Sequence, residues 1–267
     1  MNRIWSVARN TFIEAVRDRV LYSLILFAFL MILSSLILAS ISAEQYNKIV
    51  KDLGLTAISL IGIMIAVFLG MGLVYKEIEK KTVYNIFSKP IRRYEFVFGK
   101  YLGLAFTLLV NTAAMAFILF LLVLYTEVRH GDFIRFYYGG PHYVEFFKAV
   151  YFTYLEFLII IGVALVFSSF TTPVMTVLFT FLTIAIGRFS SDLKLFADQV
   201  RTPLTKFVAE VIYTVMPNLE KFDVRREAVY GGYISLELVF YTTMYAVLYT
   251  LALLVLSIII FEKREFK

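Results

Sequence analysis

Long apolar runs without charged residues most constrain how this chain can fold. The first run, from Val20 to Ala43, contains 24 residues without a charge, and a helix of that length measures about 36 Å. The hydrocarbon core of a bilayer is about 30 Å thick, so such a run can cross it once. Because backbone groups in lipid must bond within their own segment, we expect an all-α polytopic membrane protein.

The apolar pattern divides the chain into six expected transmembrane helices. The fourth and fifth are separated between Ser168 and Pro173, because hydroxyl residues there precede a proline that can begin a helix. The expected spans cover residues 20–43, 53–75, 101–125, 149–168, 173–187 and 235–261. We interpret residues 1–267 as a single transmembrane domain.

Charges between the spans predict the orientation of the chain. With the N-terminus inside, the inner segments hold 14 of the 26 lysines and arginines in fewer positions than the outer segments. Basic segments favour the cytoplasmic side of a membrane. We therefore expect both termini in the cytoplasm, and a multi-pass protein of the cytoplasmic (inner) membrane. The same bias explains the net charge of +6 without a nucleic-acid partner.

Two segments outside the spans have helical apolar periodicity. Residues 2–18 predict an amphipathic helix in the cytoplasmic interface, with Trp5 and arginines on its surface. The alternative is a simple cytoplasmic continuation of the first span. In the long outer loop, Thr202 and Pro203 signal a helix start and Pro217 a stop. That outer amphipathic helix is expected to lie flat on the outer leaflet or to cap the bundle.

The loop between the second and third spans is the most basic part of the chain. Residues 75–100 contain seven lysines and arginines against three glutamates. Pro90 is expected to divide the loop into two short helices, because the residue before a proline disfavours the helical region. One interpretation is an electrostatic anchor to anionic membrane lipids. The other is a contact surface for a cytoplasmic partner.

Polar and small residues within the spans are candidates for a translocation path or a dimer seam. Glu156 lies about seven residues into the fourth span; it could be functional, protonated, or paired with Arg188 or Lys148. The remaining candidates are hydroxyls at helical spacing in the fifth span and a small-residue ridge in the second, namely Thr176, Thr180, Thr183, Gly62, Ala66 and Gly70. The alternative is that each threonine bonds its own i−4 carbonyl and that the ridge serves helix packing.

Several chemistries have no support in the sequence. The chain has no cysteine, which excludes disulfides, zinc thiolate sites and thiol catalysis. His130 and His142 do not fill a metal site by themselves, so no metal site is expected. The chain lacks both a P-loop and an H-E-x-x-H motif, so we expect no catalytic residue and no bound nucleotide on this chain.

Residues 75–103 resemble the cytoplasmic loop of ABC-2 type transporter permeases. That loop has an acidic residue, Gly-Thr, an apolar stretch, Lys-Pro-x-x-Arg and then Gly-Lys. Matching positions are Glu79, Thr82, Lys89, Pro90, Arg93, Gly99 and Lys100, whereas Lys81 and Phe87 stand where glycine and leucine are usual. Residues 216–223 and 261–266 are also similar to this family. The branch most resembled is the six-span type associated with multicopper-enzyme maturation, as in nitrous oxide reductase assembly.

The resemblance implies that a separate P-loop ATPase drives this chain. Two coupling segments would contact that ATPase, through the matching residues above and through Ser169 and Thr171 in the turn after the fourth span. It also implies a homodimer with two ATPase copies, which carry the ATP and magnesium, and movement of a substrate, in the direction of export. A periplasmic substrate or maturation factor is a further implied partner.

An ATP-independent secondary carrier, or a scaffold for a membrane complex, is the alternative function. Carriers typically show an internal repeat, broken helices and several charges at the membrane midplane. This sequence shows no clear repeat and a single deep acid, Glu156, so the permease is preferred.

Overall fold

The fold is described by a computed structural model that covers residues 2–40, 46–79, 92–129, 140–192, 195 and 203–263. Within these ranges the secondary structure is helical, without strands. The α-helices are α1 (Asn2–Val16), α2 (Arg19–Ala39), α3 (Tyr46–Glu79), α4 (Arg93–Arg129), α5 (Gly140–Ser168), α6 (Pro173–Arg188), α7 (Pro203–Val215), α8 (Arg225–Tyr230) and α9 (Leu236–Lys263). A 3-10 turn covers Glu220–Phe222.

Five of these helices are long and apolar enough to cross a membrane, namely α2, α3, α4, α5 and α9. The sixth apolar helix, α6, is found where the sequence predicts the fifth span, but it has only 16 residues. At about 1.5 Å per residue it measures about 24 Å, which is shorter than a bilayer core of about 30 Å. The chain is therefore a multi-pass membrane protein, and α6 differs from the other five helices in length.

Most helices extend beyond the predicted spans because the charged residues at their ends have partners. Helix α3 begins at Tyr46 rather than at residue 53, and Lys51 in its first turns lies 3.0 Å from Glu127 of α4. Helix α4 begins at Arg93 rather than at residue 101, and Glu95 accepts a hydrogen bond from the backbone of residue 92 at 2.8 Å. Such a bond satisfies a free N–H group at a helix start.

The predicted N-terminal helix is present as α1 and is separate from α2. Asp18 lies between them in an extended conformation, and its side chain accepts a hydrogen bond from the N–H of Val20 at 3.0 Å. This is the usual chemistry of an N-cap, so a new helix begins there. The continuation of the first span into residues 2–16 is thus not observed. Helix α1 packs along the first half of α4 instead.

Helices α3 and α5 form the centre of the bundle, and they approach closely because glycines of α3 face bulkier groups of α5. A Cβ atom at Gly62 would overlap the buried ring of Phe157, and one at Gly70 would lie 2.6 Å from the Cβ atom of Ala164. Around this pair, α2 and α9 leave most of their apolar surface exposed, as expected for helices in contact with lipid.

The described part of the connection from α6 to α9 is hydrogen-bonded to both of these helices. The N–H of Leu219 donates to the carbonyl of Gly187 at 3.0 Å, close to the end of α6. The hydroxyl of Tyr249, 13 residues after the start of α9, donates to the carbonyl of Val215 at 2.8 Å. Residues 216–230 therefore begin beside the end of α6, and α8 within them packs against α3 and α5. The predicted outer helix, α7, stops before Pro217 as expected, and its last residue, Val215, is exposed.

Candidate functional site

Three helix ends meet at the end of the bundle where α3 ends and α4 begins, which we call the loop end. The guanidinium of Arg93 donates to the carbonyls of Phe261 and Glu262 in α9, at 3.0 Å and 2.6 Å. In the turn between α5 and α6, the hydroxyl of Ser169 lies 2.9 Å from that of Ser257 in α9. The starts of α4 and α6 and the end of α9 are thus hydrogen-bonded together.

Lys100 and Gly99 attach α1 to the same end. The ammonium of Lys100 lies 3.4 Å from the carboxylate of Glu14, and the Lys100 residue is only 3% exposed. A Cβ atom at Gly99 would lie 2.7 Å from the Cβ atom of Val7, so a larger residue would displace α1. Two of the predicted coupling residues therefore hold the N-terminal helix against α4.

The turn between α5 and α6 is stabilised by its own hydroxyls. The hydroxyl of Thr171 donates to the carbonyl of Phe167 at 2.8 Å and lies 2.8 Å from that of Thr176. Pro173 begins α6 as predicted, but the preceding Thr172 makes no capping bond with its side chain. Its carbonyl instead accepts from the hydroxyl of Thr176 at 3.0 Å, because that hydroxyl is one helical turn further on.

The remaining predicted coupling residues lie within the loop or directly before it in the sequence. Glu79 is the last residue of α3. Thr82, Lys89 and Pro90 lie outside the described residues, as does the predicted division of the loop at Pro90. The described coupling residues thus lie on both sides of residues 80–91 in the sequence, and those of α4 contact α1 and α9.

A buried ion pair lies halfway along the bundle. The guanidinium of Arg188, the last residue of α6, donates to Glu156 of α5 at 2.8 Å and to the hydroxyl of Ser59 in α3 at 3.0 Å. Glu156 is 4% exposed and lies close to the middle of the span from Tyr143 to Ser168, deeper than the sequence predicts. A charge at that depth needs a partner, and Arg188 supplies it. The bonds of Arg188 thereby join α3, α5 and α6.

Of the two partners predicted for Glu156, the structure selects Arg188. Lys148, the other candidate, lies 2.9 Å from Glu145 and donates to the carbonyl of Ile234 at 2.6 Å. Glu145 also accepts from the backbone N–H of Ile234 at 3.0 Å. This second contact fixes the chain just before α9 to the first half of α5.

A further ion pair, which the sequence analysis missed, lies in residues 216–230. Arg225 donates to both oxygens of Asp223 at 2.7 Å and 2.6 Å, and to the hydroxyl of Thr56 in α3 at 3.0 Å. Its hydrogen bonds to Asp223 hold the pKa of that carboxyl below its usual range, and the same bonds raise the pKa of Arg225. The i, i+2 spacing of the two residues was the only sequence signal.

The predicted threonine stripe of α6 faces the interior of the chain. Thr176, Thr180 and Thr183 are buried, and their hydroxyls donate to carbonyls four residues earlier at 3.0 Å, 2.6 Å and 2.9 Å. The ridge of Gly62, Ala66 and Gly70 is also within the chain, where it packs against α5. A role of these six residues in a translocation path or dimer seam remains a prediction.

A comparison with known protein families agrees with this set of apolar helices. The family model described as ABC-2 family transporter protein matches residues 5–266. The chain belongs to this family. It is therefore a membrane component of an ABC transporter, the permease subunit, in a family that typically pairs with an ABC ATPase. None of the curated proteins matches the chain.

Proposed function

We propose that this ABC-2 permease subunit converts ATP hydrolysis on a separate subunit into movement of a substrate out of the cell. The observation that carries the proposal is the pair of contacts made by Arg93 and Lys100 just after the 80–91 segment. They join the start of α4 to the end of α9 and to α1. A partner that displaces the segment would therefore move three helices together.

In this proposal, the loop end of the bundle and the middle of the bundle have different roles. Residues 80–91, with Glu79 on one side and Arg93 on the other, and the turn at Ser169 and Thr171 receive the displacement. The pair of Glu156 and Arg188 connects α3, α5 and α6 at mid-depth. Because α6 carries the receiving turn at its start and Arg188 at its end, a shift of α6 along its axis acts directly on that pair.

The proposed assembly is a homodimer of this chain with two P-loop ATPase subunits, in the cytoplasmic (inner) membrane. ATP and magnesium belong to the ATPase. Each chain is proposed to be a single transmembrane domain with six crossings and both termini inside, in which α6 supplies the fifth crossing. We retain the copper-enzyme maturation branch, with a periplasmic factor as partner, as the specific proposal for the substrate side.

The test is purification of the chain from its native membrane, identification of any P-loop ATPase that co-purifies, and measurement of ATP hydrolysis by the two together. We expect the two proteins to purify together, and Arg93→Glu to lower permease-dependent ATP hydrolysis about 10-fold, because hydrogen bonds to a charged group contribute about 1.5–3 kcal/mol. Lys206→Glu is the matched control, since Lys206 is exposed on α7, far along the chain from the loop.

Two outcomes would contradict the proposal. If the chain purifies without any ATPase and transports a substrate on an ion gradient, it is a carrier. If Arg93→Glu, Lys89→Glu and the control all leave hydrolysis unchanged while the proteins stay associated, the loop does not transmit the displacement. Thermal unfolding of each variant separates a loss of coupling from a loss of folding.

A further inference from the structure

An apolar groove of about 290 Å³ lies between α1 and α4. Its lining is apolar except for one charged residue, and consists of Trp5, Ala8, Arg9, Phe12, Leu102, Gly103, Ala105, Phe106, Leu109 and Tyr154. The two helices touch at Ala8 and Gly103, where a Cβ atom on Gly103 would lie 2.6 Å from the carbonyl oxygen of Ala8, and the groove lies beside this contact. Beyond them, the rings of Phe12 and Phe106, 5.0 Å apart, close one side.

Arg9 gives the groove a positive rim. Its side chain is exposed, and among the described residues no acidic side chain lies within salt-bridge distance of it. Glu14, the only acid of α1, is paired with Lys100 instead. An arginine keeps its charge at any physiological pH, and its planar donors match the oxygens of a phosphate group.

The groove continues as an exposed apolar track along α4. Phe106 and Leu109 are 48% and 43% exposed, and Phe117, further along the helix, is 61% exposed. Trp5, which is 69% exposed, lines the same groove on the α1 side. Tryptophan is favoured at the boundary between lipid chains and headgroups. The rim at Arg9 and the track on α4 thus have the polarity of a lipid headgroup followed by its chain.

We propose that this groove binds one anionic phospholipid from the surrounding membrane. The phosphate bonds to Arg9, and the first part of one acyl chain lies against Leu102, Phe106 and Leu109. A volume of about 290 Å³ holds about ten water-sized groups. That is enough for the upper part of one chain, and the remainder follows the exposed track of α4. This binding site does not depend on the proposed function.

The test counts phospholipids retained by the purified chain, using native mass spectrometry after incubation with phosphatidylglycerol or phosphatidylcholine. We expect one phosphatidylglycerol per chain to remain, and little phosphatidylcholine. Arg9→Gln should weaken retention about 10-fold, whereas Arg19→Gln, which removes an exposed charge outside the groove, should not. Leu109→Trp should fill the groove and reduce retention. Val110→Trp is its control, because Val110 is equally exposed, at 44%, but does not line the groove.

Three outcomes would overturn the site. Equal losses for Arg9→Gln and Arg19→Gln would mean general attraction to the membrane surface. Equal retention of both lipids by the unaltered chain would remove the role of charge, and this comparison needs no variant. Cross-linking of residue 109 to a second copy of the chain, rather than to lipid, would assign the groove to a protein interface.

Discussion

The contact between Glu156 and Arg188 shows how one buried charge organises its surroundings. Removing a carboxylate from water in the middle of a bundle is unfavourable unless a cation and further donors meet it. Arg188 supplies the cation because α6 ends at that depth, and Ser59 accepts another of its N–H groups. The length of α6 and the position of the acid are thus parts of the same arrangement.

We expect Arg188→Leu to destabilise the chain by about 3 kcal/mol, because it leaves Glu156 without its partner. The estimate is at the low end of the usual range, since the Arg188 side chain is 31% exposed. The double variant Glu156→Leu with Arg188→Leu should recover most of that loss. Thermal unfolding in detergent measures both. Additive losses in the double variant would show that the two residues do not interact.

Glu156→Gln addresses function rather than stability. An amide can still accept a hydrogen bond from Arg188, so we expect folding to persist while transport falls. Unchanged transport and assembly would show that this acid has a structural role only.

The Asp223–Arg225 pair predicts a loss of stability in acid. The pKa of Asp223 in the folded chain is lower than its ordinary value of about 3.9, because Arg225 donates to the ionised form. Its contribution is fully present above that value and is lost as the pH falls through the lowered pKa. We expect unfolding experiments from pH 6 to about pH 2 to show a smaller decline for Asp223→Asn than for the unaltered chain. Glu237→Gln, at an exposed position of α9, should not change the decline.

Sequence alone predicts some of these residue contacts and not others. Glu156 stands out because it is an acid within an apolar run, and the sequence offers Arg188 and Lys148 as partners without deciding between them. Asp223 and Arg225 lie in a polar loop, where charged residues are ordinary. They matter because that loop packs against α3, where Arg225 bonds to Thr56. No local pattern in the sequence predicts this contact.

At the scale of elements, the close approach of α3 and α5 determines the packing of the core. Gly62 and Gly70 let the two helices touch, and Phe157 fills the space beside Gly62. In membranes, helices associate through such close packing, because lipid is as apolar as the side chains.

We expect Gly62→Ala to destabilise the chain by about 1–3 kcal/mol, because the added carbon overlaps the buried ring of Phe157. Phe157→Leu in the same chain should relieve part of the overlap, so the combined loss should be less than the sum of the two. Gly162→Ala is the control: its Cβ atom would meet the flexible end of Leu253 at 3.0 Å. Equal losses at residues 62 and 162 would contradict the packing argument.

The elements themselves follow largely from apolar periodicity, and their ends do not. The five long helices and α6 occur where long apolar runs predict them. Two of these helices, α3 and α4, extend further because Lys51, Arg93 and Lys100 have bonding partners on other helices. Hydropathy averaged along the sequence does not include contacts between helices, so it cannot predict these ends. Gly99 and Gly103, one helical turn apart in α4, allow the close approach of α1.

For the whole molecule, the absence of cysteine allows the orientation to be tested directly. Tyr233, which is 75% exposed, and Arg92, also exposed, lie near opposite ends of the bundle. We expect a membrane-impermeant maleimide to label Tyr233→Cys in intact cells, and Arg92→Cys only after permeabilisation. Ala28→Cys, at a buried position, should remain unlabelled in both. The reverse pattern would invert the topology, and with it the side on which an ATPase can act.

The bond from Arg93 to α9 has a consequence for how this family can vary. Its acceptors are main-chain carbonyls, which every amino acid possesses, so the two bonds do not depend on which side chains stand at positions 261 and 262. Phe261 is constrained for a different reason, because its ring is buried against Phe96. Only the guanidinium is required. Pairwise covariation between homologues would therefore overlook this connection, and an invariant arginine without a covarying partner side chain would be its trace.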